Sequence, residues 1–200
     1  MAVSKKTVGA VVAVLALAVI GAGVIFQAQR DGASKGSGDG LAVLATGSME
    51  KLALKSPPTP APDQPFQDAD GATVRLADFR GQVLVVNLWA TWCAPCLTEM
   101  PTLAGLARHY GGTSDVRVVA ISVDVPDARA KAQAFLADHA PLDFYAEPQF
   151  QLPFAFGARG GMPQTVLIDR QGQVRAVLTG GADWNSREAI ALIDVLRAEA

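Results

Sequence analysis

The chain is poor in the residues that staple, charge or metallate a small protein. Of 200 residues, two are cysteine and two are histidine. Cys93 and Cys96 lie three positions apart and cannot build the multi-bridge framework of a small secreted domain, so any role they have is local. A closed zinc site takes four Cys or His ligands, and His109 and His139 belong to no ligand-spaced pair. No metal is expected, and both histidines read as helix-surface residues. Lys and Arg number 17 against 19 Asp and Glu, a net charge of −2. Without a basic cluster there is no footprint for nucleic acid. Internal repeats are absent too. Half of the residues are apolar, which supports one globular core once the N-terminal stretch is set aside.

That stretch holds the one long hydrophobic run, Val8 to Phe26, 19 residues without a charged side chain. As a helix it is roughly 28 Å long, near the ~30 Å of a bilayer interior. It is longer than the apolar region of a cleaved signal peptide and lacks a clear small-x-small site after it, so an uncleaved anchor is favoured. Lys5 and Lys6 ahead of the run place the N-terminus in the cytoplasm, although Arg30 and Lys35 reduce the contrast. No cysteine follows the run to carry a lipid. The expected division is residues 1–30 as cytoplasmic tail and transmembrane anchor, 31–63 as flexible linker, and 64–200 as the folded domain.

Within the linker, 31–40 is a Gly/Ser-rich tether. Leu41, Leu44, Ala45, Met49 and Leu52 approximate helical spacing and suggest a short amphipathic helix. Ser56-Pro57-Pro58-Thr59-Pro60-Ala61-Pro62 reads as extended polyproline-like chain, a boundary before the domain. In the domain, Asp70-Gly71 between apolar positions predicts a β-hairpin. Val83 to Trp89 is a nearly continuous apolar run, a strand buried on both faces. A helix is expected from Cys93 to His109, a strand over Val116–Val123 and a helix over Ala128–Asp138. Two strands, Thr165–Asp169 and Val174–Leu178, flank a hairpin loop, and a last helix covers Ser186–Ala198. Alternating strands and helices closing in an antiparallel hairpin imply an α/β sandwich on a mixed sheet.

The chemistry concentrates at the start of the first long helix. Cys93 and Cys96 at i and i+3 share a helix face within disulfide reach. Cys93 occupies the capping position, where unpaired backbone N–H groups and the helix dipole favour a thiolate. Thiol pKa values in such places drop from about 8.5 to as low as ~3.5–7.5, which makes Cys93 the nucleophile and Cys96 the more shielded resolving thiol. Pro95 falls in the first turn, where its missing N–H is no loss. Pro101 falls inside the helix and removes the donor to Leu97 O. The competing reading, two small buried cysteines, leaves the tryptophan, the proline and the helix start unexplained. Trp92 reads either as core or as an apolar cover for the site.

Asn87-Leu88-Trp89-Ala90-Thr91-Trp92-Cys93-Ala94-Pro95-Cys96, followed by Glu99-Met100-Pro101 and by Gly161-Met162-Pro163-Gln164-Thr165, resembles the thioredoxin superfamily from about Phe66 onward. Within it the chain is similar to the membrane-anchored TlpA/ResA/CcmG group. TlpA looks nearest, through the anchor, Ala45-Thr46-Gly47-Ser48-Met49 and Ala182-Asp183-Trp184-Asn185-Ser186. The resemblance implies a three-layer α/β/α sandwich with an N-terminal β-hairpin extension. It also implies that Pro163 is a cis-proline facing the cysteines and that the Met162 backbone pairs with the bound substrate chain. From sequence alone Pro163 fits a trans proline equally well. Glu99 matches an acidic residue of ResA-like members and reads either as a proton-handling group or as a solvated helix glutamate. Asn87 departs from the buried aspartate of cytoplasmic thioredoxins, which shifts any base role toward Glu99 or water.

The expected function is thiol–disulfide exchange on extracytoplasmic proteins by a single-pass protein of the bacterial inner membrane, its catalytic domain in the periplasm. No cofactor is implied beyond the Cys93–Cys96 disulfide. The TlpA likeness implies Sco-type or cytochrome oxidase subunit II-like clients in copper-centre assembly, with electrons from a membrane thiol reductant of the DsbD/CcdA kind. A ResA/CcmG-type reductant of apocytochrome c is the near rival. A copper metallochaperone is the rival of another class. Sco proteins, however, carry a wider cysteine spacing and a downstream histidine for which His109 and His139 are misplaced. The Thr-x-x-Cys motif of peroxiredoxins is absent.

Overall fold

The computed structural model describes residues 37–157 and 161–199. The expected membrane span at 8–26 lies outside them. The described chain runs through α1 (Ser37–Leu44), β1 (Ala53–Pro60), β2 (Phe66–Asp68), β3 (Thr73–Val74), β4 (Val83–Trp89), α2 (Ala94–His109), β5 (Val116–Ser122) and α3 (Arg129–Ala137). It continues through β6 (Phe144–Ala146), α4 (Leu152–Ala155), β7 (Gln164–Ile168), β8 (Gln173–Thr179) and α5 (Arg187–Ala198). The strands form one mixed sheet in the order β1-β8-β7-β4-β5-β6-β2-β3.

The centre follows from the apolar runs. All seven residues of β4 are buried, so the sheet is covered on both faces there, as its unbroken hydrophobicity demands. β4, β5 and β6 are parallel neighbours, and α2 and α3 supply the crossovers that parallel pairing requires. β7 and β8 pair antiparallel on the other side of β4, turning through Gly172 at φ 78°, a conformation open to glycine. The hairpin at Asp70-Gly71 forms as β2 and β3. Asp68 Oδ1 accepts from the backbone N–H groups of Asp70 and Ala72 and ties the turn. α5 starts at Ser186, whose hydroxyl accepts from Ala189 N, the ordinary serine cap.

Two expectations about the N-terminal side are corrected. The proline-rich stretch is not a boundary: it belongs to β1, an edge strand paired antiparallel with β8 through Ala53↔Val177, Leu54↔Ala176, Thr59↔Val174 and Pro60↔Gln173. Prolines are tolerated there because an edge strand leaves one row of N–H groups without a ladder partner. The folded unit also begins at Gly40 rather than at residue 64, because Leu41, Met49 and Leu52 are buried in the core. β6 and α4 are too short to show a period in the sequence.

Candidate active site

The C-terminal ends of the parallel strands carry the site. Cys93 caps α2 with extended dihedrals (φ −95°, ψ 95°) and is joined to Cys96 by a disulfide, the Cα atoms 5.3 Å apart. With its sulfur in that bond, Cys93 makes no side-chain cap hydrogen bond. Cys93 is 5% exposed and Cys96 wholly buried, the order expected of an attacking and a resolving thiol. Pro95 lies in the first turn of α2, and Pro101 sits inside a helix that continues to His109. Trp92 is 63% exposed, so it is no core residue.

Asp124, which belongs to no motif in the sequence, fixes the loop that delivers Trp92 and Cys93. Its carboxylate accepts from Thr91 N at 2.9 Å, from Thr91 Oγ1 at 2.8 Å and from Ser122 Oγ at 2.9 Å. The signal was available: an acidic residue directly beyond a buried strand needs partners, and the loop from the adjacent strand has free donors.

Met162-Pro163 is cis and lies immediately before β7. Gln164 pairs with Leu88, so Pro163 comes to the same end of β4 as the loop to Cys93. Pro163 O accepts from Gly180 N at 2.8 Å, which ties this turn to the end of β8. Gly161 packs so closely on Thr179 that a Cβ would stand 2.5 Å from its Cγ2.

Glu99, one helical turn beyond Cys96, is 3% exposed and is therefore not a solvated helix glutamate. Its Oε1 accepts from Asn87 Nδ2 at 2.8 Å and its Oε2 from Ala182 N at 3.0 Å. Asn87 Nδ2 also donates to Thr165 Oγ1 at 2.8 Å, which links α2 to β4 and β7. Burial pushes the Glu99 carboxyl up from 4.5 to about 7, against the opposing pull of the Ala182 N–H and Asn87. The Trp184 indole Nε1 makes no hydrogen bond.

The segment 181–184 closes over this carboxyl. Trp184 is fully buried and its backbone N–H donates to Thr102 Oγ1 at 3.1 Å. Ser48 Oγ, from the turn after α1, donates to Asp183 O at 3.4 Å. Ser48, Pro95, Thr98, Glu99, Thr102 and Asp183 are among the residues around an open cleft of about 580 Å³ beside the disulfide. The structure thus brings Cys93, Cys96, Pro95 and Glu99 together, with Met162 and Pro163 at the same sheet end. His109, in the last turn of α2, and His139, beyond α3, lie apart.

The sequence profile of the AhpC/TSA family matches residues 57–177. Thiol-disulfide oxidoreductase ResA of Geobacillus thermodenitrificans is 34% identical over 143 residues, covering 70% of this chain and 79% of that protein. Thiol:disulfide interchange protein HelX of Rhodobacter capsulatus is 32% identical over 139 residues, 68% of this chain and 69% of its own. The crystal structure of a Chlorobium tepidum protein assigned as thiol:disulfide interchange protein DsbE superposes with a TM-score of 0.62 at 29% identity, covering 70% of this chain and 97% of that one.

Proposed function

Because the chain belongs to the thioredoxin-like AhpC/TSA family, in its TlpA/ResA/CcmG group, and is a thiol–disulfide oxidoreductase, we propose that it works as a membrane-anchored, extracytoplasmic reductant of protein disulfides. The observation that carries the chemistry is the pairing of a helix-capping Cys93 with a sealed Cys96 above a buried carboxyl. In the reduced protein the Cys93 thiolate attacks one sulfur of a client disulfide. A mixed disulfide forms, and the client's other sulfur leaves as a thiolate that takes a proton. Cys96, as thiolate, then attacks the Cys93 sulfur. The Cys93–Cys96 disulfide closes and the client departs with both cysteines reduced.

Glu99 receives the proton that Cys96 gives up. A carboxyl titrating near 7 is matched to that transfer at neutral pH. Asn87 and Ala182 N hold its two oxygens in place. Pro163 and the Met162 backbone bind the client chain beside the disulfide.

The apolar 8–26 run supports anchoring in the inner membrane with the domain in the periplasm. Clients of cytochrome oxidase copper-centre assembly are the first reading, and a DsbD/CcdA-type membrane protein restores the dithiol. The likeness to ResA and HelX favours a second reading within the same chemistry, reduction of apocytochrome c. Trapping decides: a Cys96→Ser variant expressed in a respiring host retains its client disulfide-linked to Cys93, and mass spectrometry identifies it. Recovery of neither copper-handling thiol proteins nor apocytochrome c overturns both client assignments. A redox titration giving a potential at the oxidant end, near −120 mV, overturns the direction of electron flow.

A further inference from the structure

Four large hydrophobic side chains among the described residues are strongly exposed: Val43, Trp92, Val125 and Phe154. Val43 lies on α1. Trp92 and Val125 lie on the loops after β4 and β5, and Phe154 on the short helix α4 that follows β6; the three strands are parallel neighbours. Single exposed apolar residues are ordinary on any surface, but three issuing from adjacent strand ends around one disulfide are not scattered.

Phe154 stands out because its exposure is built. Glu147, wholly buried, spends its carboxylate on the turn that leads into α4, the helix that carries Phe154: it accepts from Gln149 N at 3.0 Å, Gln151 N at 2.7 Å and Leu152 N at 3.0 Å. Glu147 N in turn donates to Ser122 O at 2.8 Å, which moors the turn to the end of β5, two residues before Asp124. Phe150, in the same turn, is the one described non-glycine residue with positive φ, 56°, an unfavourable conformation outside glycine. Its ring meets Phe154 edge-on with centroids 5.8 Å apart. Leu152 and Phe156 on either side are buried. A short helix so firmly anchored at its start that nonetheless presents a phenyl ring to solvent is a held display.

We propose that Phe154 is a client-docking residue: with Val125 and Trp92 it forms an apolar platform on the β6 side of the disulfide that receives an aliphatic or aromatic side chain of the substrate polypeptide. The platform is continuous with the surface that the exchange reaction already requires a client to touch, since Trp92 adjoins Cys93 and Val125 follows the Asp124 that holds the Trp92 loop. The inference rests on the exchange chemistry alone and stands whichever client is trapped.

The test compares Phe154→Ser and Phe154→Leu with the unaltered full chain, reduced and purified in detergent, on insulin as a protein disulfide and on glutathione disulfide as a small one. Loss of an aromatic anchor predicts about a tenfold drop in the insulin rate for the serine variant. Leucine keeps most of that rate, and the glutathione disulfide rate stays within about twofold for both. An insulin rate unchanged in the serine variant overturns the proposal. So does a parallel fall on both substrates, which assigns Phe154 to holding the site rather than to docking. Loss of all exchange in the unaltered protein refutes instead the function on which docking depends.

Discussion

Replacing Glu99 with glutamine tests the buried carboxyl most directly. In the unfolded chain the group titrates near 4.5, and in the folded, oxidised protein burial raises this to about 7. The folded state therefore holds the proton more tightly. The stability tied to that proton is fully present below about pH 4.5 and is lost as pH rises through about 7. At roughly 1.4 kcal/mol per pH unit of displacement, the whole effect is about 3 kcal/mol, of which 2 to 3 kcal/mol falls between about pH 5 and about pH 8. Glutamine mimics the protonated acid, with one acceptor oxygen and one donor group, and carries no charge to desolvate. Urea unfolding of the oxidised proteins across that range should show Glu99→Gln within about 1 kcal/mol of the parent at the acid end, since one accepted hydrogen bond, from Asn87 or from Ala182 N, changes. At the alkaline end the variant should be more stable by about 2 kcal/mol. Stability curves for the two proteins that run parallel throughout would refute the reasoning, because they would mean that the carboxyl ionises at no cost.

Asp124→Ala removes the acceptor for Thr91 N, Thr91 Oγ1 and Ser122 Oγ. It is expected to cost about 2–3 kcal/mol in denaturant unfolding and to slow exchange through misplacement of the Cys93 loop. Gly105→Ala places a Cβ 2.9 Å from Asn185 Cγ; a loss of about 1–3 kcal/mol should be relieved when Asn185→Gly is added, read as a double-mutant cycle. Met49→Ala, at a position with no exposed surface, should destabilise the domain by about 2–4 kcal/mol in the same unfolding transition as the rest. A mere linker residue would leave that transition unmoved. Asn87→Ala withdraws a donor that opposes the effect of burial on Glu99, so the carboxyl midpoint, followed by NMR, should move further upward.

The central elements were legible because local pattern and tertiary role agree in them. Val83–Trp89 is apolar at nearly every position because both its faces are buried, and the helix after it starts where a capping cysteine and a first-turn proline coincide. The elements that escaped notice had no such agreement. β6 has three residues and α4 has four, too few to show a period. The Pro57–Pro60 stretch has the composition of a linker, and only the edge of β8, brought alongside by the fold, makes it a strand. In the site, Trp-Cys-x-x-Cys announced the chemistry, whereas the partners of Glu99 come from 12 and 83 residues away and leave no local mark.

The sequence by itself determined the redox pair and its place at a helix start, because spacing, capping and proline tolerance are properties of neighbouring residues. It also determined the succession of central strands and helices, through runs whose periodicity demands a buried sheet. Only the tertiary structure decided that Glu99 is a buried acid, because desolvation depends on what α2, β4 and the 181–184 segment exclude together. The same holds for residues 40–63, which count as domain rather than tether. Burial is a sum over distant neighbours, and no stretch of chain contains it.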